Sequence, residues 1–140
     1  MREKLLLILG CALLFACHKN NNQSGCGVQV CSDIFKQINV VFTDKAGQRI
    51  YVTQFSALNQ RTNLPLVTKV NLGIPVAMTY SYLVADDSMR DQLSTGGDNV
   101  LVTATNSTTG QIKSTLFNIS GGCNCHVQKL SGPDTVKFDQ

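Results

Sequence analysis

Residues 38–52 read INVVFTDKAGQRIYV, and this stretch decides the fold. Ile34, Ile38, Val40 and Phe42 fall on one side of an extended chain, because side chains in a strand alternate with period two. Asp44-Lys45-Ala46-Gly47 follows with turn chemistry: an aspartate that bonds to nearby backbone and a glycine free to adopt positive φ. Beyond the turn, residues 48–56 carry Ile50 and Val52 opposite Tyr51 and Phe55. The pattern predicts two strands hairpinned through a D-x-x-G turn.

The rest of the chain repeats the theme. Residues 66–72 predict a third strand, which Gly73-Ile74-Pro75 breaks. Residues 76–85, VAMTYSYLVA, are the longest alternating run, with Val76, Met78, Tyr80, Tyr82 and Val84 on one face. DDSMRDQL, residues 86–93, predicts one short helix capped by Asp87 or Ser88. Further strands are expected over residues 99–105, 111–119, 124–130 and 135–139, separated by turns rich in Gly, Asn and Pro. There is no tryptophan, and Thr, Ser, Asn, Gln and Val are plentiful, a mixture that favours strands. The expected class is all-β: a seven- to eight-stranded antiparallel β-sandwich with at most one short helix near residues 87–93. The 38–52 stretch also resembles the first hairpin of transthyretin-like and carboxypeptidase-regulatory-like domains, which implies an Ig-like seven-stranded sandwich.

The N-terminus supplies an address. MREKLLLILGCALLFAC has a basic start at Arg2 and Lys4, an apolar run over residues 5–15, then Ala16 and Cys17. The run is too short to span a bilayer as a helix and matches a signal peptide. Leu14-Phe15-Ala16-Cys17 resembles the lipobox of bacterial lipoproteins, which implies cleavage before Cys17 and acylation of its thiol. Phe15 is bulkier than is usual there, and Gly10-Cys11 is a second candidate with too short an apolar stretch ahead of it. At ~0.8 kcal/mol per buried methylene, several acyl chains hold a protein firmly on a membrane. HKNNNQSG, residues 18–25, lacks any aliphatic or aromatic residue and reads as a tether. The asparagine-rich spacer resembles that of envelope lipoproteins of the Bacteroidota. The absence of an acidic cluster behind Cys17 points to the outer membrane with the domain facing the periplasm. The expected organisation is a signal peptide over 1–16, lipidated Cys17 and tether over 17–30, and a sandwich over 31–140. Removing residues 1–16 takes away Arg2, Glu3 and Lys4 and lowers the formal net charge from +3 to +2. Charges are scattered, so the composition argues against nucleic acid as a partner.

GGCNCH, residues 121–126, presents a choice between staples and metal ligands. With Cys17 assigned to lipid, Cys26, Cys31, Cys123 and Cys125 remain, and four cysteines in an exported domain predict two disulfides. Cys123 and Cys125 would share one face of an extended strand, so each is expected to bridge back to the 26–31 segment, with the order of pairing open. His126 would then point to the opposite face. The alternative is a zinc site drawing on these four cysteines and His126, which the one-residue spacing disfavours. A thioredoxin-type redox role lacks its C-x-x-C. Asp86, Asp87, Asp91 and Asp98 form the one acidic concentration; their spacing fits no calcium-loop pattern, and Arg90 lies among them as a partner. Tyr51, Tyr80 and Tyr82 are candidates for a ligand-facing patch or for cross-strand core pairs. Asp87-Ser88-Met89 and Asp134-Thr135-Val136 resemble the sites at which Bacteroidota O-glycosylate exported proteins, on Ser88 and Thr135.

His126 is the one histidine outside the tether, and no G-x-S-x-G is present, so no enzyme activity and no cofactor are expected. The expected function is a non-catalytic binding or assembly module, tethered to the membrane by its N-terminal lipid and meeting an envelope protein or a glycan. The alternatives are a small-ligand or calcium-binding lipoprotein using residues 86–98, and a hydrolase using His126.

Overall fold

The computed structural model describes residues 26–70 and 80–140. The signal peptide, Cys17, most of the tether and residues 71–79 lie outside the described residues. Among the described residues, eight strands form two sheets around one core. β1 (Gln37–Thr43), β4 (Ser81–Asp86) and β8 (Thr135–Lys137) make a three-stranded sheet in the order β4-β1-β8. β2 (Val52–Asn59), β3 (Leu64–Pro65), β5 (Asp98–Asn106), β6 (Ile112–Ser120) and β7 (Gln128–Ser131) make the other, in the order β3-β2-β5-β6-β7. A 3-10 helix, Asp87–Gln92, connects β4 to β5. The fold is therefore an all-β sandwich, as the alternation predicts, although β1 and β8 pair in parallel.

Every sheet buries one face. Ile38, Val40 and Phe42 from β1 meet Val100, Val102 and Ala104 from β5, with Phe117 and Ile119 from β6 completing the layer. Phe42 lies at the centre, with its ring centroid 5.4 Å from that of Tyr82, 5.9 Å from Phe138 and 6.2 Å from Phe55. The Phe55 and Tyr82 rings meet Phe42 edge-on and the Phe138 ring is tilted, contacts that add to the stabilisation from apolar burial. The Tyr82 hydroxyl accepts the Val52 N–H at 2.7 Å and donates to the Val52 carbonyl at 3.3 Å, tying one sheet to the other inside the core. Burial raises the Tyr82 phenol above its ordinary value.

The opening stretch departs from the expected hairpin. Asp44 Oδ1 accepts the N–H groups of Ala46 and Gln48, so the turn forms as predicted. Pairing, however, amounts to a single bridge between Thr43 and Arg49, with the Ile50 N–H donating to Phe42 O. The chain then crosses to the other sheet, and β2 pairs with β3 and β5 rather than with β1. A bulge between Thr53 and Ser56, with Gln54 at φ 50°, corrects the expected faces as well. The extra residue reverses the side-chain parity, so Val52 and Phe55 both pack on the core instead of opposing each other.

Other boundaries shift for identifiable reasons. Ile34 precedes β1 and is exposed rather than inward. The third strand is Leu64–Pro65, and residues 66–70 form no strand. Tyr80 has φ 50° and stands outside β4, so the alternation holds only for Tyr82 and Val84 among the described residues. Asp86, not Asp87 or Ser88, caps the helix: its side chain accepts the Ser88 N–H at 2.8 Å. Cys123 and Cys125 lie in a turn before β7, not on a strand. Among the described residues, no helix is long and apolar enough to cross a membrane.

Candidate functional site

The most chemically organised region is the corner where the N-terminal segment joins the GGCNCH turn. Gly121 and Gly122 make that turn possible. A side chain on Gly121 would press on Arg90 O at 2.6 Å, and Gly122 combines φ 55° with Thr95 at 2.7 Å from a Cβ position. Their N–H groups donate to Ser94 O and Arg90 O, which docks the turn on the end of the 3-10 helix. The Arg90 guanidinium donates to Cys125 O at 3.2 Å from the other side.

Two disulfides close the corner. Cys26 is joined to Cys123 and Cys31 to Cys125, with Cα separations of 5.1 and 5.3 Å. Both cysteines of the turn thus reach back to the 26–31 segment, as the sequence leads one to expect, and the order of pairing is now defined. Sulfurs bonded to each other offer no thiolates, which overturns the zinc alternative.

His126 does not point away to an opposite face, because no strand is present there to set one. Its Nδ1 lies 2.7 Å from Asp87 Oδ2 and its Nε2 lies 2.9 Å from Ser32 Oγ. A carboxylate only accepts hydrogen bonds, so Nδ1 carries the proton. In the neutral ring Nε2 is then the acceptor, and the Ser32 hydroxyl donates to it. Asp87 also accepts the Lys36 N–H at 2.7 Å through Oδ2 and the Val127 N–H at 2.8 Å through Oδ1. Burial pushes its carboxyl upward, but the Lys36, His126 and Val127 hydrogen bonds together outweigh burial and hold it below the ordinary value. Asp87 and His126 are largely covered, whereas Ser32 is exposed. A hydroxyl, a base and an orienting carboxylate therefore stand in series, with the Cys31–Cys125 bridge linking the neighbours of Ser32 and His126. The sequence reading left His126 without partners, and Ser32 was missed altogether.

The four aspartates do not converge. Asp86 accepts from Ser88 N and from the hydroxyls of Ser88 and Thr68, Asp91 pairs with Lys69 at 2.7 Å, and Asp87 serves His126. The Arg90 guanidinium hydrogen-bonds the turn, and its charge adds to the larger effect of Lys69 in lowering the Asp91 carboxyl. Among the described residues, no three of His, Cys, Asp and Glu gather as metal ligands would. Tyr82 is buried while Tyr51 and Tyr80 are exposed, so the three do not form one surface patch. The Ser88 hydroxyl is engaged with Asp86 at 2.5 Å, and Thr135 is exposed on β8.

Asp98 forms a separate buried cluster unrecognised in the sequence. Its Oδ1 accepts Arg61 Nε at 2.7 Å, and its Oδ2 accepts Asn59 Nδ2 at 2.7 Å and Ser94 N at 3.0 Å. Burial raises the carboxyl, but the hydrogen bonds from Arg61, Ser94 and Asn59 more than reverse this and hold it well below the usual range. A depressed folded value means the stabilisation is complete above the unfolded value near ~3.9 and is lost as pH falls further. Asp98→Asn turns an amide N–H toward these donors and is expected to cost about 1.5–3 kcal/mol at pH 7. In urea titrations the gap to the parent should narrow below about pH 4; a gap unchanged with pH would refute the charge-based account.

Compared with family models, curated proteins and solved structures, the chain matches none.

Proposed function

We propose that this chain is a lipid-anchored envelope protein whose sandwich serves as a binding or assembly module, and that its contact surface is the outer face of the five-stranded sheet. The observation that carries this reading is the make-up of that face. Pro65, Leu58, Leu101 and Leu116 stand opposite one another across four strands, forming an apolar row. Ser56, Thr103 and Ser114 form the next row, and Thr53, Thr105 and Ile112 the one after. None of these ten residues is charged, and Leu116 and Ile112 are 47% and 65% exposed. Uncharged rows on a sheet face, one of them apolar, suit a partner that covers them. None of the ten is aromatic, which favours a protein over a glycan, since sugar rings are commonly held by stacked aromatic side chains.

The anchoring half of the proposal rests on the lipobox-like Leu14–Cys17 stretch and the spacer behind it. The Bacteroidota-like spacer, with no acidic cluster behind Cys17, supports an outer-membrane protein facing the periplasm. The transthyretin-like and carboxypeptidase-regulatory-like resemblance agrees with the two-sheet architecture. Within this proposal Thr135 is the more accessible of the two candidate glycosylation positions.

The test is recovery of a partner from detergent-solubilised membranes with the tagged full-length protein. Leu101→Lys combined with Leu116→Lys should reduce recovery at least tenfold. Stability should change little, because each position lies on the solvent side of the sheet. Undiminished recovery of the same partner by the doubly substituted protein would show that this face is not the contact surface.

A further inference from the structure

We infer that Ser32 is a nucleophile for acyl transfer from esters, with His126 as its general base and Asp87 as a positioning residue. This goes beyond the binding role and stands independently of it. The geometry has the parts such chemistry needs: a hydroxyl 2.9 Å from Nε2, and a carboxylate 2.7 Å from Nδ1 of the same ring. The opposite nitrogens of one imidazole are engaged, so a proton taken at Nε2 develops charge on a ring already facing Asp87. Asp87 is itself fixed by the Lys36 and Val127 N–H groups, which keeps the ring in one tautomer and orientation.

Preorganisation is covalent on the nucleophile's side. Ser32 follows Cys31 and His126 follows Cys125, and those two cysteines are bonded. The bridge confines a hydroxyl on an otherwise exposed segment to the neighbourhood of its base, which removes much of the orientational cost of reaction. Lys36 belongs to the same segment, so the Asp87 carboxylate also holds the strand that leads away from Ser32.

In the first step Ser32 Oγ attacks the ester carbonyl carbon while its proton passes to His126 Nε2. The carbon–oxygen bond to the alcohol then breaks, and the alcohol leaves with the proton that His126 returns. The acyl group remains on Ser32 as an ester. Water, deprotonated by His126, attacks that ester, releases the carboxylic acid and restores the hydroxyl. An ester suits an exposed serine better than an amide does. Its alcohol departs more readily and the reaction demands less stabilisation of the tetrahedral oxyanion.

The experiment treats the native full-length protein, disulfides intact, with a fluorophosphonate probe and with p-nitrophenyl acetate. The expected result is a single phosphonyl adduct mapped by peptide mass spectrometry to Ser32. Loss of the adduct is expected in Ser32→Ala, which should fold normally because the side chain is exposed. His126→Gln should lower the labelling rate about 100-fold. Asp87→Asn should lower it at least tenfold, and Asp87→Glu should restore part of that loss at matched melting temperature, which a purely structural role would not produce. Absence of an adduct on Ser32 in the folded parent, or labelling equally fast in folded His126→Gln, would overturn the assignment.

Discussion

Replacing Cys26, Cys31, Cys123 and Cys125 together by serine is expected to lower the stability of the domain by about 7 kcal/mol, whereas removing either bridge alone should cost only about 2–3 kcal/mol. The asymmetry follows from topology. The bridges span 97 and 94 residues and lie side by side. Whichever remains still closes the long loop in the unfolded chain, at about 4.7 kcal/mol by chain entropy. The other then closes a ring of only about eight residues, for which the same relation gives about 2.5 kcal/mol. Against the roughly 5–15 kcal/mol that holds a typical domain folded, losing one staple is tolerable and losing both removes most of the margin. Urea denaturation of the parent, the two paired variants and the fourfold variant measures this. If one paired variant loses nearly as much as the fourfold variant, the account fails. These four positions should yield no free thiol in the unreduced protein and four after denaturing reduction.

The second large effect is expected at Phe42. Phe42→Ala should cost about 3–5 kcal/mol, because it removes apolar contact and leaves a cavity. Phe42 is almost fully buried between the layers, in contact with Phe55, Tyr82 and Phe138. Its removal also loosens the packing around Tyr82, whose hydroxyl ties the two sheets together at Val52. Phe42→Leu retains most of the volume and should cost clearly less. Thermal unfolding should show Phe42→Ala lowered by roughly 10–20 °C. A loss as small as that of an exposed replacement such as Ile112→Ala would show that the centre of the core lies elsewhere.

Much of the fold was legible because burial imposes its period on the residues. β5 is the clearest case: Asp98, Val100, Val102, Ala104 and Asn106 face inward and the residues between them face out. What alternation could not show was partnership. The Asp44–Gly47 turn satisfies the same local hydrogen bonds whether its flanking strands pair or part to different sheets. Only the competition of β4 and β8 for the edges of β1 decides between them. The bulge at Gln54 was equally hidden, since the sequence around it carries no glycine to mark the positive φ.

The candidate site divides in the same way. Residue types alone determined that four cysteines would staple the start of the domain to the GGCNCH turn, and that alternating strands would enclose an apolar core. Hydrogen-bond partners depend instead on distances across the chain: 94 residues between Ser32 and His126, and 39 between His126 and Asp87. Those distances collapse only once the Cys31–Cys125 pairing is chosen and the 3-10 helix docks beneath the turn. Composition and period act locally and could be read in advance. The Ser32–His126–Asp87 series and the Asp98 cluster are products of packing, which brings together residues that local sequence does not relate.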